Sequence, residues 1–442
     1  MIQRMLPTVC VIGAGSSGIA AAKTLHERGF AFDCFEAGDR VGGNWVYKNV
    51  NGMSAAYRSL HINTSRDRME YPGFPMPPSY PDFPHHTHIA AYFEAYVDHF
   101  GFRDRITFNT RVARADPLEP GWRITLDSGE MRDYDVLMVA NGHHWDARWP
   151  EPAFPGSDTF QGTQMHSHDY VGDDPELFRD RRVVVLGMGN SAMDIAAEAS
   201  FSASKTYLAA RRGAWVIPKY LFGRPMDQYA ASPKIPFEIR RRVMKGLLRA
   251  QVGDMERYGL PKPDHDFGHA HPTISDDVLS RIAHGEIEVK PNIARLGETT
   301  VAFSDGSSVE ADVVVYCTGY KVTFPFFDEH VISAPDNDLP LFRRVFHPDR
   351  RDVFFVGLLQ PLGAIMPLAQ VQSEWVADHL AGRYALPDPA ALRADMEAER
   401  RRMFQRYVPS KRHTMQVDYD DYLAALAKER KAGAERAAAV PS

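Results

Sequence analysis

Apolar residues along this chain gather in short unbroken runs, and two of those runs are followed at once by a glycine-rich turn and then by apolar positions at helical spacing. The first, Val9 to Ile12 ("VCVI"), leads through "GAGSSG" into "IAAAKTLHERG", which closes at Gly29. The second, "RVVVL" from Arg182, leads through "GMGNSA" into "MDIAAEAS". Continuous runs of strand length, in place of alternating ones, predict strands covered on both faces, as in a parallel sheet clothed by helices. Further runs at "FDCFE", "KTYLAA" and "ADVVVYCTGY" supply the following strands. The pattern therefore predicts an α/β protein with two Rossmann-like dinucleotide-binding domains. The strand Val313 to Tyr316 is expected to return the chain to the first domain, which makes the second an insertion. On that basis residues 1–169 form the first part of one domain, 170–312 the inserted domain with a helical excursion at about 220–285, and 313–442 the second part with C-terminal helices.

The glycine spacings say what the turns are for. Gly13, Gly15 and Gly18 stand in GxGxxG order: a tight turn, room for backbone amides to approach a pyrophosphate, and close helix–strand packing, with the helix N-terminus favouring the anion. Glu36, at the end of "FDCFE", falls where a carboxylate accepts hydrogen bonds from a ribose. In the second turn Gly187 and Gly189 are followed by Ala192, and the next strand ends on Arg211 and Arg212 with no acid. Guanidinium groups there would bind a 2′-phosphate that a carboxylate would repel, so NADPH is expected over NADH. The first unit, with "AGDRVGGNW" after it, resembles the FAD-binding part of two-dinucleotide flavoproteins, in which the paired glycines Gly42 and Gly43 lie against the cofactor.

Composition narrows the partners. The chain has 442 residues, 44% of them hydrophobic, a formal net charge of −6 and a pI of about 6.3, which argues against nucleic acid. Cys10, Cys34 and Cys317 sit in or beside apolar runs with no CxxC pair, so packing is their expected role and a reducing, cytoplasmic location follows. No stretch has the apolar length of a membrane span, and no stable membrane insertion is expected. The segment "FEIRRRVMKGLLRAQ", Phe237 to Gln251, reads as an amphipathic helix packed on its own protein, with a membrane surface as the alternative. His85, His86 and His88 read as a loop and helix start in preference to a metal site.

The segment "FQGTQMHSHDY" then identifies a resemblance. With Phe160, Gly162, His166 and Tyr170 it matches FxGxxxHxxxY and resembles the identifying sequence of flavin-containing monooxygenases. "YRSLHINTSRDRMEYPGFPMP", "YGLPKPDHDFGHAHPTISDDVL", "VVYCTGY" and "FVGLLQPLGAIMPLAQVQSEW" are similar to further segments of that family in the same order. "VANGHH", Val139 to His144, departs from the ATG-type turn of related flavoproteins, although asparagine, here Asn141, can also adopt unusual turn dihedrals.

The resemblance implies FAD and NADPH as cofactors, and O2 with a small nucleophilic molecule as substrates. It implies a flavin C4a-hydroperoxide that transfers oxygen to amines, thioethers or indole, in a dry pocket with no nucleophile or acid–base dyad. It implies Asn63 as the active-site amide, with His61 and Met53 lining the nucleotides. Ser17, Glu36, Asn44 and Trp45 match FAD contacts, and Gln360 matches a glutamine near the flavin ring. Tyr170, Met188, Gly189, Ser191, Arg211 and Arg212 match NADP contacts. A homodimer is the family-level expectation. A Baeyer–Villiger monooxygenase acting on ketones, an NADPH-dependent flavoprotein reductase and a flavin-bound redox sensor are the competing readings.

Overall fold

The structure is a computed structural model that describes residues 6–229, 235–407 and 414–439. Two compact units divide the chain: residues 1–56, 60–146 and 321–442 form one, and residues 57–59 with 147–320 the other.

Each unit is built on a five-stranded parallel sheet. In the first unit β1 (Val9–Ile12) lies at the centre, and α1 (Ser16–Glu27) carries the chain to β2 (Phe32–Phe35) beside it. Ile106–Thr107 adds the edge beyond β2. Val136–Val139 and then Val353–Phe355 extend the other side. β1 and Val136–Val139 are buried along their whole length, as unbroken apolar runs require. The small side chains Ala20, Ala21 and Ala22 are fully covered, and α1 packs against the helix Met366–Leu380.

The second unit repeats the plan. Arg182–Leu186 is central, Lys205–Ala210 and Ile287–Pro291 follow on one side, and Val313–Tyr316 lies on the other. In both units a three-stranded antiparallel meander stands in the chain just before the fourth strand: residues 112–134 in the first and 293–310 in the second. The units differ in the fifth strand. The first takes it from downstream, at Val353–Phe355, and the second from upstream, at Thr163–His166.

That pairing corrects two expectations. Val313–Tyr316 does not return the chain to the first unit; it bonds in parallel to Val183–Leu186 on one side and Thr163–His166 on the other. The divisions expected at 170 and 312 accordingly stand at 147 and 320, because the strands flanking them belong to the second sheet. The excursion at 220–285 is also less helical than expected. It holds the helices Phe237–Gln251 and Val278–Ala283, but also short strands at Tyr220–Leu221, Arg224–Pro225 and Thr273–Ile274.

The helix Phe237–Gln251 divides its apolar positions between two environments. Leu248 is buried with Trp215 and Ile217, and Met244 packs on that cluster, while Ile239 and Val243 are 52% and 58% exposed. Arg241 and Lys245 both pair with Asp266, so part of the basic face is held by the protein itself. No helix of the described residues is long and apolar enough to cross a membrane.

Candidate functional site

The first glycine turn closes on itself too tightly for side chains. A Cβ at Gly18 would stand 1.7 Å from the Gly13 carbonyl oxygen, and one at Gly13 would meet the Ala140 carbonyl at 2.8 Å. Gly43, with φ +54°, brings its Cα to 3.6 Å from where a Gly15 Cβ would be, so the Gly42–Gly43 pair lies on the turn. Gly15 caps α1 in extended conformation with no side-chain bond to the helix, and no acid occupies the first turn. The leading amides of α1 are thus left without a side-chain cap, the geometry in which a helix end takes a phosphate. The residues fit FAD.

Glu36 is buried and heavily engaged. Its carboxylate accepts from the Ala14 amide at 2.7 Å, the Gly38 amide at 2.6 Å and Asn51 Nδ2 at 3.3 Å. Burial raises its pKa and these donors oppose the rise. The same acid expected to meet a ribose therefore also braces the glycine turn. Asn44 braces the next loop, its Oδ1 accepting from the Ala55 amide at 2.8 Å and its carbonyl from Ser54 Oγ at 2.9 Å. The Met53 amide donates to Asn51 Oδ1 at 2.9 Å, and Trp45 packs half-buried against the core.

Asn63 lies half-buried two residues beyond His61. Its neighbour Ile62 donates its backbone N–H to the Pro84 carbonyl at 3.0 Å, and His61 stacks edgewise on His85 at 5.0 Å. No hydrogen bond of the Asn63 side chain, an amide that can donate and accept, is found among the described residues. Gln360 is held by its backbone, which donates to the Met415 carbonyl at 2.9 Å, and Gln360–Leu362 pairs with Gln416–Asp418. Gly357, with φ +75°, brings its backbone so close to Ser17 that a Cβ would meet Oγ at 1.9 Å. Asn141 keeps an ordinary φ and donates Nδ2 to the Thr323 carbonyl at 3.2 Å; Gly142 takes the left-handed position.

The second turn is looser at its third position. Gly187 has φ +146°, and a Cβ there would meet the Cys317 carbonyl at 2.7 Å, yet Ala192 is accommodated in full burial. Gly189 caps the helix Asn190–Ala199 as Gly15 caps α1, with no side-chain cap and no acid in the first turn. Asn190 Oδ1 accepts from the Ile274 amide at 2.9 Å, and Thr273 Oγ1 bonds to the Met188 carbonyl, which ties the turn to the Thr273–Ile274 strand. Ser191 is half-buried at the helix start. Arg211 and Arg212 stand exposed beyond the strand; Arg212 pairs with Asp264 at 3.7 Å, whereas no ion pair of Arg211 is found among the described residues. The residues fit a phosphorylated dinucleotide.

The FxGxxxHxxxY segment turns out to be an edge strand and its exit. A Cβ at Gly162 would meet the Asp312 carbonyl at 2.5 Å, and His166 pairs with Tyr316. His166 is fully buried, and burial pushes its pKa down to about 4, so it stays neutral. Tyr170 is buried too, stacked on Phe178 at 5.4 Å with its hydroxyl donated to Glu198. Sequence reasoning missed the partners on that helix: Asp194 and Glu198 project from one face, Asp194 taking the hydroxyl of Tyr57. Two carboxylates four apart in the alanine-rich "MDIAAEA" were the available signal.

His85 caps the helix His86–Phe100, its Nδ1 accepting from the Thr87 amide and bonding Thr87 Oγ1 at 2.8 Å, and His86 and His88 lie in the first turn of that helix. Cys10 and Cys34 are buried thiols whose pKa values burial drives up, as packing residues require.

The comparisons agree with this anatomy. The flavin-binding monooxygenase-like family model matches residues 7–435. The chain is 36% identical over 440 residues to flavin-containing monooxygenase 5 of Rattus norvegicus, covering 95% of this chain and 82% of that one. It is 34% identical over 445 residues to the N-oxide-forming dimethylaniline monooxygenase 2 of the same organism, covering 96% and 83%. Among solved structures, S-allyl-L-cysteine S-oxygenase from Allium sativum superposes with a TM-score of 0.71 at 26% identity, covering 98% of this chain and 92% of that one. With two glycine-turn nucleotide folds and family similarity from end to end, this chain belongs to the flavin-binding monooxygenase family and is an NADPH-dependent enzyme that uses FAD.

Proposed function

We propose that the enzyme oxygenates soft nucleophiles, the sulfur of thioethers and the nitrogen of amines, with Asn63 as the side chain that meets the reacting cofactors. The observation that carries this reading is the half-buried Asn63 amide, with no hydrogen-bond partner found among the described residues, in a family whose relatives include an S-oxygenase and an N-oxide-forming enzyme. Bound FAD, once reduced by NADPH, supplies the activation of O2. The protein's part is to bind and to exclude. Gly13, Gly15, Ser17 and Gly18 present the α1 terminus to the FAD pyrophosphate while Glu36 takes its ribose. Asn44, Trp45, Met53, His61 and Gln360 line the same cofactor. Gly187, Met188, Gly189 and Ser191 do the corresponding work for NADPH, Arg211 and Arg212 hold its 2′-phosphate, and Tyr170 shapes the fold beneath. No proton-transfer dyad is needed, because a soft nucleophile brings its own electron pair.

We place the enzyme in the cytoplasm, in keeping with its unpaired cysteines, and as a homodimer, which light scattering of the purified protein would check. The functional test is NADPH-dependent O2 uptake with and without methyl p-tolyl sulfide or N,N-dimethylaniline. Sulfoxide or N-oxide formed in proportion to NADPH oxidised is expected. Peroxide as the sole product would make it a reductase-type oxidase, and lactone from cyclohexanone with no sulfoxide would make it a Baeyer–Villiger enzyme. Asn63→Ala should keep FAD and its reduction by NADPH while losing at least nine-tenths of product formation.

A further inference from the structure

Tyr57–Ser59 is flanked on both sides by residues of the first unit, yet belongs to the second. Three contacts account for this. The Tyr57 hydroxyl donates to the Asp194 carboxylate, the Arg58 amide donates to the Val171 carbonyl at 2.9 Å, and the Tyr57 ring lies 6.0 Å from that of Tyr170. Tyr170 in turn donates to Glu198, one helical turn beyond Asp194. Two buried tyrosines thus reach two carboxylates on one face of the helix Asn190–Ala199, whose N-terminus is the candidate NADPH site.

The charge on Asp194 is not there for comfort. Burial raises its pKa to about 6 against the opposing pull of Tyr57 and Lys219, while Glu198 and Asp277 push it up further. Lys219 is itself lowered by burial. An asparagine would accept the Tyr57 bond without that desolvation, but a bond to a carboxylate is roughly twice as strong as one to a neutral acceptor. Only three residues separate Ser59 from Asn63, so the four steps between them reach at most about 14 Å.

We propose that the Tyr57–Asp194 bond is a positioning strap for oxygenation: it holds the chain that enters the Asn63 turn onto the nicotinamide-nucleotide fold. The inference rests on the reading of Asn63 given above. Asp194 and Tyr57 touch neither substrate nor reacting atoms in this role; they act only through the chain that runs on to Asn63. A loosened strap leaves cofactor binding and flavin reduction in place but lets the activated oxygen escape as hydrogen peroxide, so that NADPH, a proton and O2 yield NADP⁺ and H2O2 with no product.

The test is made on the FAD-bound full chain. In Tyr57→Phe, deuterium exchange at the Arg58 amide should quicken at least tenfold, and peroxide released per NADPH oxidised should rise at least fivefold. FAD per chain and the anaerobic rate of flavin reduction by NADPH should stay within twofold. Asp194→Leu should match Tyr57→Phe, and Asp194→Asn, whose amide oxygen still accepts, should fall between it and the wild type. Unchanged exchange at Arg58, or faster exchange with coupling intact, overturns the strap. A fully coupled Asn63→Ala would instead overturn the role given to Asn63, and exchange at Arg58 separates the two failures.

Discussion

Asp194 is a carboxylate placed where an amide would accept the same hydrogen bond more weakly but at a lower desolvation cost. Its pKa lies at about 6 in the fold against 3.8 for the free side chain, so protonation favours the folded state. The contribution is fully present below about pH 3.8 and is lost as pH rises through about 6, a difference of up to about 3 kcal/mol, less in proportion to the solvent its half-buried side chain retains. Asp194→Asn should therefore raise the thermal midpoint at pH 8, with a gain that shrinks steadily towards pH 4; a gain independent of pH would show that the carboxylate is not strained by burial. At the second turn the two arginines are unequal, because Arg212 is drawn to Asp264. Replacing both with alanine should raise the KM for NADPH at least tenfold, as loss of charge-assisted phosphate bonds costs ~1.5–3 kcal/mol, and leave the KM for NADH little changed. Arg211→Ala alone should account for more of that loss than Arg212→Ala. Steady-state kinetics with the two nucleotides checks both statements.

At the scale of elements, the two turns share a spacing but not a tolerance. A methyl group at Gly18 would overlap the Gly13 carbonyl, backbone that cannot swing aside, whereas the second turn already holds Ala192. Gly18→Ala should be recovered with at most a tenth of the normal FAD per chain, read from flavin absorbance, while Ala192→Gly keeps NADPH turnover within a few-fold. The strands that make these turns were legible because an apolar run followed by glycines and a helix is a local pattern. The edge strand Thr163–His166 was not. Its own burial is uneven, and only pairing with Val313–Tyr316 makes it a strand of the second sheet. The helix Phe237–Gln251 shows the same limit: periodicity announced an amphipathic face, but packing on Trp215 and Ile217 decided that Leu248 is covered while Ile239 and Val243 are not.

Across the whole molecule the two sheets differ in how far their strands are scattered along the chain. All five strands of the second sheet lie between Thr163 and Tyr316, in one continuous stretch, whereas the first needs Val353–Phe355 from beyond it. A fragment of residues 147–320 should fold alone, with an α/β circular dichroism spectrum and a cooperative thermal transition. A fragment of residues 1–320 should bind no FAD, since it lacks that strand and the helix Met366–Leu380 that packs on α1. A structureless 147–320 fragment would show that the division of contacts does not correspond to an independently stable body.

The family resemblance supplied Asn63; the residues alone determined the two nucleotide folds, the α/β class and the choice of Glu36, Arg211 and Arg212 as site candidates. Each rests on spacing within a few residues or on motif order, and such local geometry is set by backbone sterics and by the charge a side chain carries. Only the tertiary structure decided which sheet receives Val313–Tyr316, that Glu36 braces the turn it serves, and that Tyr57 reaches Asp194. Those outcomes join residues distant in sequence. They depend on how buried strands find parallel partners and how buried polar atoms find hydrogen bonds, which no short window of sequence contains.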